Sequence, residues 1–280
     1  MKKFLAVFDG YHFSTSTMRF AVQLAAQAKA QLVGVFLDEA TYRSFNIGQV
    51  LTTESDADTR IRKLEERDQQ RRDNAVRQFQ AVCGKADISY IVHRDRGIAV
   101  QELIQETMFA ELLILDKGEN FSRRRQKPPT AFVRHLLSAL QCPALIVPSG
   151  YKKIDHITLL YDGEPSSAYA LRQFSYLLGE LGDLPVEMLT VKKTAADGTR
   201  LPHNKLIREW MKKHFPHALF TVLRGDPEPS IVKHLKQRGA NDLVVLGAYR
   251  RGEVSRWFRP SMADILMKEL DTPLFIAHNK

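Results

Sequence analysis

The 280-residue sequence predicts an α/β protein of two tandem, open, five-stranded parallel sheets flanked by helices. Three observations predict it: the chain repeats itself, short apolar runs alternate with helix-periodic segments, and those runs are apolar without a break. The repeat comes first, because a missed repeat mis-assigns the whole fold. KKFLAVFDG from Lys2 and KIDHITLLYDG from Lys153 each lead an apolar run into Asp-Gly, then a Ser-rich turn, then helical periodicity. Asp9-Gly10 therefore matches Asp162-Gly163. The ends match too, CPALIVPS from Cys142 with TPLFIAHN from Thr272. This sets two domains, 1–150 and 151–280. Their linker, 149–153, is short enough to demand that they pack closely.

In order, the first half reads as strands at 3–9, 31–37, 87–93, 111–116 and 144–148, with helices at 15–29, 55–83, 98–109 and 130–141. The second half reads as strands at 156–162, 185–191, 218–224, 242–247 and 273–277, with helices at 165–180, 203–214, 228–239 and 261–271. Runs such as LLIL at 112–115 and LVVL at 243–246 suit parallel strands buried on both faces. Strand–helix alternation means a parallel sheet wrapped by helices. Leu171, Phe174, Leu178 and Leu181 fall at helical spacing and form a core-facing stripe. Residues 39–84 hold an insertion ending in a long charged helix. Ser55 is its expected N-cap, with Asp58 three residues on, and Arg62, Glu65 and Asp68 sit at ion-pair spacing. Its charges read as a solvated face, with a docking surface as the alternative. The apolar last strands, 144–147 and 274–277, are expected to pair, covering each other's edges in an intramolecular pseudo-dimer. A homodimer of the whole chain stays open.

Composition bounds the function. Hydrophobic residues at 44% and charged residues at 26% are ordinary for a globular protein. No apolar run reaches the roughly 20 residues that span a bilayer, and Phe4–Phe8 is too short for a signal peptide. A cytoplasmic location without membrane contact is expected. Cys83 and Cys142 show no metal-ligand spacing and read as reduced thiols. The nine histidines are scattered; His214 and His217 lie three apart, but nothing completes a metal site. The net charge of +9 is concentrated in two loops at matching places. Lys117–Pro129 carries five basic residues against Glu119, and Ala248–Pro260 carries four against Glu253. That pattern favours a small anion over nucleic acid. No P-loop, no strand-following G-x-G-x-x-G and no G-x-S-x-G elbow is present, so side-chain catalysis is not expected.

In open parallel α/β sheets, ligands bind at the carboxyl ends of strands, near the reversal of strand order. In each half the Asp-Gly turn should meet the loop after the fourth strand there, beside a helix N-terminus whose free N–H groups favour anions. In the second half, Gly247 is followed after two residues by Arg250, then after nine by Pro260 and Ser261. With that spacing, the chain resembles the universal stress protein family over nearly its whole length, twice. Nucleotide-binding members of that family carry Gly, two residues, Gly, nine residues, Gly and Ser or Thr at this place.

The resemblance implies a Rossmann-like fold of the adenine nucleotide alpha hydrolase type, a stress-response or signalling role, and ATP or another adenine nucleotide as ligand. It places nucleotide contact at Asp162, Gly247, Arg250 and Ser261, and Gly252 joins them as a nearby glycine. Two of the three family glycines are replaced here. Arg250 adds bulk and a guanidinium, Pro260 removes an N–H donor, and Gly252 offers backbone freedom in a shifted position. In the first half Asp116 replaces the first glycine, and Ala131 falls at the Ser position with Thr130 beside it. Family-type binding is therefore expected only in the second half. Asp9 and Asp162 match the family's acidic residue beside the nucleotide, although Asp-Gly also makes a good turn. The rival readings are a ligand-independent module for an unidentified protein partner and a weak nucleotidase, for which Asp162 alone offers a base.

Overall fold

The structure, a computed structural model, describes residues 1–9, 13–37, 56–95, 99–120, 126–194, 198–248 and 261–278. The first half runs β1 (Lys3–Asp9), α1 (Thr15–Gln27), β2 (Gln31–Leu37), α2 (Ala57–Lys85), β3 (Tyr90–Asp95), α3 (Ala99–Thr107), β4 (Leu112–Asp116), α4 (Ala131–Ala139) and β5 (Ala144–Val147). The second runs β6 (His156–Leu160), α5 (Pro165–Leu177), a 3-10 turn (Gly179–Asp183), β7 (Val186–Lys192), α6 (Asn204–His214), β8 (Leu219–Arg224), α7 (Pro227–Arg238), β9 (Asp242–Gly247), α8 (Met262–Glu269) and β10 (Leu274–Ala277). Each expected element is present within a few residues. β3 starts three residues late, because Asp87 takes a left-handed turn (φ 51°) after α2. Helix α2 begins at Ala57 with Asp56 at its N-cap and no side-chain cap bond. The expected cap, Ser55, lies outside the described residues.

The strands form one ten-stranded sheet in the order β3-β2-β1-β4-β5-β10-β9-β6-β7-β8. The order is the same read from either edge, as the repeat requires. All neighbours are parallel except β5 and β10, which pair antiparallel with Leu274 opposite Ile146, Phe275 opposite Leu145 and Ile276 opposite Ala144. This is the expected pairing of last strands. It joins two five-stranded parallel halves and removes two apolar edges from solvent.

Helices cover both faces. Phe4, Ala6, Phe8, Ile157, Leu159 and Phe275 point to the face under α1, α2, α5 and α6. Leu5, Val7, Leu113, Leu115, Val244 and Ile276 point to the face under α3, α4, α7 and α8. Alternate residues of one strand feed opposite cores, which explains the unbroken apolar runs. The stripe Leu171, Phe174, Leu178 and Leu181 is buried as expected. Helix α2 buries Ala75, Val76, Phe79 and Cys83 in its last turns, and Asp68 further up is buried as well. No described helix is long and apolar enough to cross a membrane.

Candidate functional site

In the second half, β6 ends at the Asp162-Gly163 turn. Asp162 Oδ1 accepts the Glu164 N–H at 2.9 Å and the Ser167 hydroxyl at 2.6 Å. The carboxylate thus does the capping work at the start of α5, where Glu164, at the N-cap, makes no side-chain cap bond. Gly163 has φ 88°, and a Cβ there would lie 2.4 Å from Pro202 Cβ. Only glycine fits under the connection between β7 and α6, which folds back here through Pro202 and His203.

β9 ends beside the same helix. A Cβ on Gly247 would sit 2.5 Å from the Ser166 carbonyl carbon and oxygen and 2.8 Å from Ser167 N. Asp162, Ser167 and Gly247 are therefore contiguous at the carboxyl ends of β6 and β9. The glycine, expected for close approach to phosphate, is already required by close approach of α5. Ser261 is the N-cap of α8: its Oγ accepts Asp264 N–H at 3.2 Å, and Asp264 Oδ2 accepts Ser261 N–H at 3.3 Å. This capping box leaves the serine only partly buried at the helix N-terminus. Arg250, Gly252 and Pro260 lie outside the described residues.

The first half fills the equivalent place with its own side chains. Asp116 is buried; its Oδ1 accepts Gly118 N–H at 2.8 Å and the Ser149 hydroxyl at 3.4 Å, and its Oδ2 accepts the Ser14 hydroxyl at 3.1 Å. Ser14 is the N-cap of α1 and accepts Thr17 N–H at 3.1 Å. Ser16 donates to Pro148 O at 2.6 Å. Linker, α1 and β4 are laced together at the carboxyl end of β4.

Asp9, the counterpart of Asp162, is buried at the end of β1. Thr130, not Ala131, holds the serine position. It is the N-cap of α4, accepts Val133 N–H at 3.1 Å and donates to Glu119 O. The interval from Asp116 to Thr130 equals that from Gly247 to Ser261, so the motif spacing survives in both halves.

Lys117, expected to be part of a basic loop, is instead nearly buried. Its ammonium donates to Leu270 O at 2.8 Å, Met267 O at 3.2 Å and Asp271 Oδ1 at 2.7 Å. It caps the carboxyl end of α8, where a cation also meets the negative end of the helix dipole. Its hydrogen bond and charge hold the Asp271 carboxyl below its usual range. Two further contacts cross the same seam. His278 Nε2 lies 3.2 Å from Leu140 O, and Arg134 Nε lies 3.6 Å from Asp264 Oδ1.

Three site features escaped the sequence reading: the Ser167 hydroxyl on Asp162, Pro202 over Gly163, and the reach of Lys117 across the halves. The Ser pair after Asp162-Gly163 was a visible signal for the first. The other two depend on contacts between segments far apart in sequence.

No family model and no curated protein matches the sequence. Solved structures do match. A universal stress protein from Archaeoglobus fulgidus aligns with a TM-score of 0.66 at 14% identity, covering 99% of this chain and 98% of that one. A functionally unknown protein from Pseudomonas aeruginosa aligns at 0.60 and 11% identity, covering 99% and 92%. The cytoplasmic domain of a prokaryotic cation chloride cotransporter aligns at 0.50 and 12% identity, covering 98% and 94%. The chain shares its whole-length fold with a universal stress protein.

Proposed function

We propose that the chain is a tandem stress-response or signalling module of two domains, 1–150 and 151–280, that binds one adenine nucleotide or a similar small anion in the second. Asp162, Gly247 and Ser261 line that site, with Arg250 and Gly252 contributed from between the last two in sequence. Its output is altered binding of a protein partner in the cytoplasm, not turnover. The observation that carries the reading is the contrast at the carboxyl ends of β4 and β9. Asp116 occupies the first crevice and would repel phosphate. Gly247 brings no side chain of its own to the second, and α8, capped by Ser261 at the family spacing, begins with N–H groups of the kind that suit an anion.

Calorimetric titration of the full chain with ATP tests this. One nucleotide per chain is expected. Asp162→Asn keeps an oxygen for Glu164 N–H and Ser167, so the turn survives while the charge goes. Affinity should then fall about fivefold, the difference between a charge-assisted and a neutral hydrogen bond. Unchanged affinity would leave Asp162 a turn residue only. Asp116→Gly should admit a second nucleotide if the carboxylate is what closes the first half.

The second reading, a ligand-independent interaction module, draws on Lys117. A residue of the degenerate motif now fastens one half to the other, and the cotransporter's cytoplasmic domain shows the same fold within a transporter. Absence of ATP binding, with the fold intact, would favour it.

A further inference from the structure

A cavity of about 730 Å³ opens at the amino ends of β6, β7 and β8, the opposite end of the strands from the site above. Its size lies within the roughly 300–1,000 Å³ range of small-molecule pockets. It owes its floor to a difference between the halves. In the first half α1 joins β2 through residues 28–30 alone, whereas α5 joins β7 through residues 178–185, including the 3-10 turn. That turn brings Gly179 and Gly182 to the wall, and Phe215, Pro185 and Leu219 supply apolar surface.

The polar wall is Arg238, at the end of α7, with His156, His214 and His217. Arg238 forms a long ion pair with Glu187, and its charge also acts on Asp242, but its Nε makes no hydrogen bond. Its nearest carboxylate oxygen, Glu187 Oε2, is 3.7 Å from Nε, beyond hydrogen-bond distance, and Nε is buried without a hydrogen-bond partner. Glu187 is already engaged, accepting from the Thr221 hydroxyl and lying 3.0 Å from His234 Nε2. A buried guanidinium nitrogen left unmatched is uncommon, and the guanidinium fork suits carboxylate or phosphate. His214 is held in place by stacking on Trp210, with ring centroids 4.4 Å apart at 28°. Helix carboxyl ends around the cavity oppose an anion, as do Asp183 on the wall and the carboxylates of Glu187 and Asp155, which already pair with Arg238 and His156. The partial charge of a helix end is nonetheless weaker than a full guanidinium charge at contact.

We propose that this cavity binds a small organic anion with a flat apolar body, its carboxylate or phosphate on Arg238 and its ring against Phe215 and His214. The site is independent of the nucleotide reading.

Trp210 reports on the cavity, so the full chain carrying Trp257→Phe serves as the parent. Benzoate, indole-3-acetate and phenyl phosphate are titrated to about 10 mM, where binding of only a few kcal/mol would still register. At least one should change Trp210 fluorescence saturably, and the carboxylates against the phosphate show which head group the site takes. Arg238→Gln should weaken that probe about tenfold or more. Gly179→Phe provides a second test that leaves Glu187 its charge partner. A Cβ at Gly179 meets nothing within 4 Å, so the fold tolerates it while the ring fills the cavity and abolishes binding. Saturating ATP should not displace the probe. No saturable change with any of the three, binding that survives both variants, or displacement by ATP would each overturn the proposal.

Discussion

The carboxyl ends of β4 and β9 occupy equivalent places in the two halves, yet they meet the following structure differently. Asp116 reaches the first helix of its half through a carboxylate–hydroxyl bond to Ser14, the N-cap of α1. Gly247 lets the backbone of α5 come into direct contact. In both halves the first helix ends on a carboxylate of the chain itself, Asp116 by way of Ser14 and Asp162 directly. The lesson is that one side chain sets the spacing between strand and helix. A carboxylate holds them apart and fills the gap with hydrogen bonds. A glycine lets the helix backbone close the gap directly.

Substitution of the pivotal glycine gives the largest expected effect. Gly247→Ala drives a Cβ into the Ser166 carbonyl, and backbone cannot swing aside, so a loss of about 3 kcal/mol is expected. Gly118→Ala, beside Asp116, meets only Asp116 Oδ1 at 3.3 Å and should cost about 0.5 kcal/mol or less. Urea denaturation of both variants measures the contrast. Equal losses would mean that the close approach of α5 does not matter.

At the other end of the same strands, Glu111 in the first half is exposed and accepts Lys3 N–H, while Asp242 in the second is buried. Burial pushes Asp242 up to about 6 from 3.8, against the opposing hydrogen bond from Thr158. The folded state therefore holds this proton more tightly than the unfolded state does. As pH rises from about 4 to about 6, the unfolded chain releases the proton first and stability falls, by about 3 kcal/mol from this group. Asp242→Asn should remove that slope and make the protein more stable than the parent at pH 8. An unchanged profile would show that Asp242 ionises freely in the fold.

The seam between the halves comes next. Lys117→Met keeps the aliphatic stem but strips Met267 O, Leu270 O and Asp271 of their donor. A loss of about 2 kcal/mol is expected, as for hydrogen bonds to a charged group. No change in the denaturation midpoint would make the contact incidental. The smallest contrast is between the two caps. Ser261→Ala should cost about 1 kcal/mol. Thr130→Ala should cost about 2 kcal/mol, because the buried Glu119 carbonyl loses its donor as well. Reversal of that order in thermal melts would mean that Ser261 carries more than a cap.

Much of the architecture was legible in the sequence because it rests on local and periodic signals. Unbroken apolar runs mark strands buried on both faces, Leu171 and Phe174 mark the core-facing side of α5 while Leu178 and Leu181 are buried just past its end, and the repeat requires the same strand order in both halves. The pairing of the last strands was expected from the repeat and their apolar sequences together with the family resemblance, whose members often pair through these strands. The candidate site was legible as spacing, from Gly247 to Ser261, and that spacing also identifies Thr130 as the counterpart of Ser261. Tertiary structure alone decided what those residues touch. Gly247 is a glycine for the sake of Ser166, Asp116 is satisfied by Ser14 and Ser149, and Lys117 belongs to a helix of the other half. A hydrogen bond or a steric contact depends on atoms brought within a few ångströms by the whole fold, and no pattern local to the sequence encodes that distance.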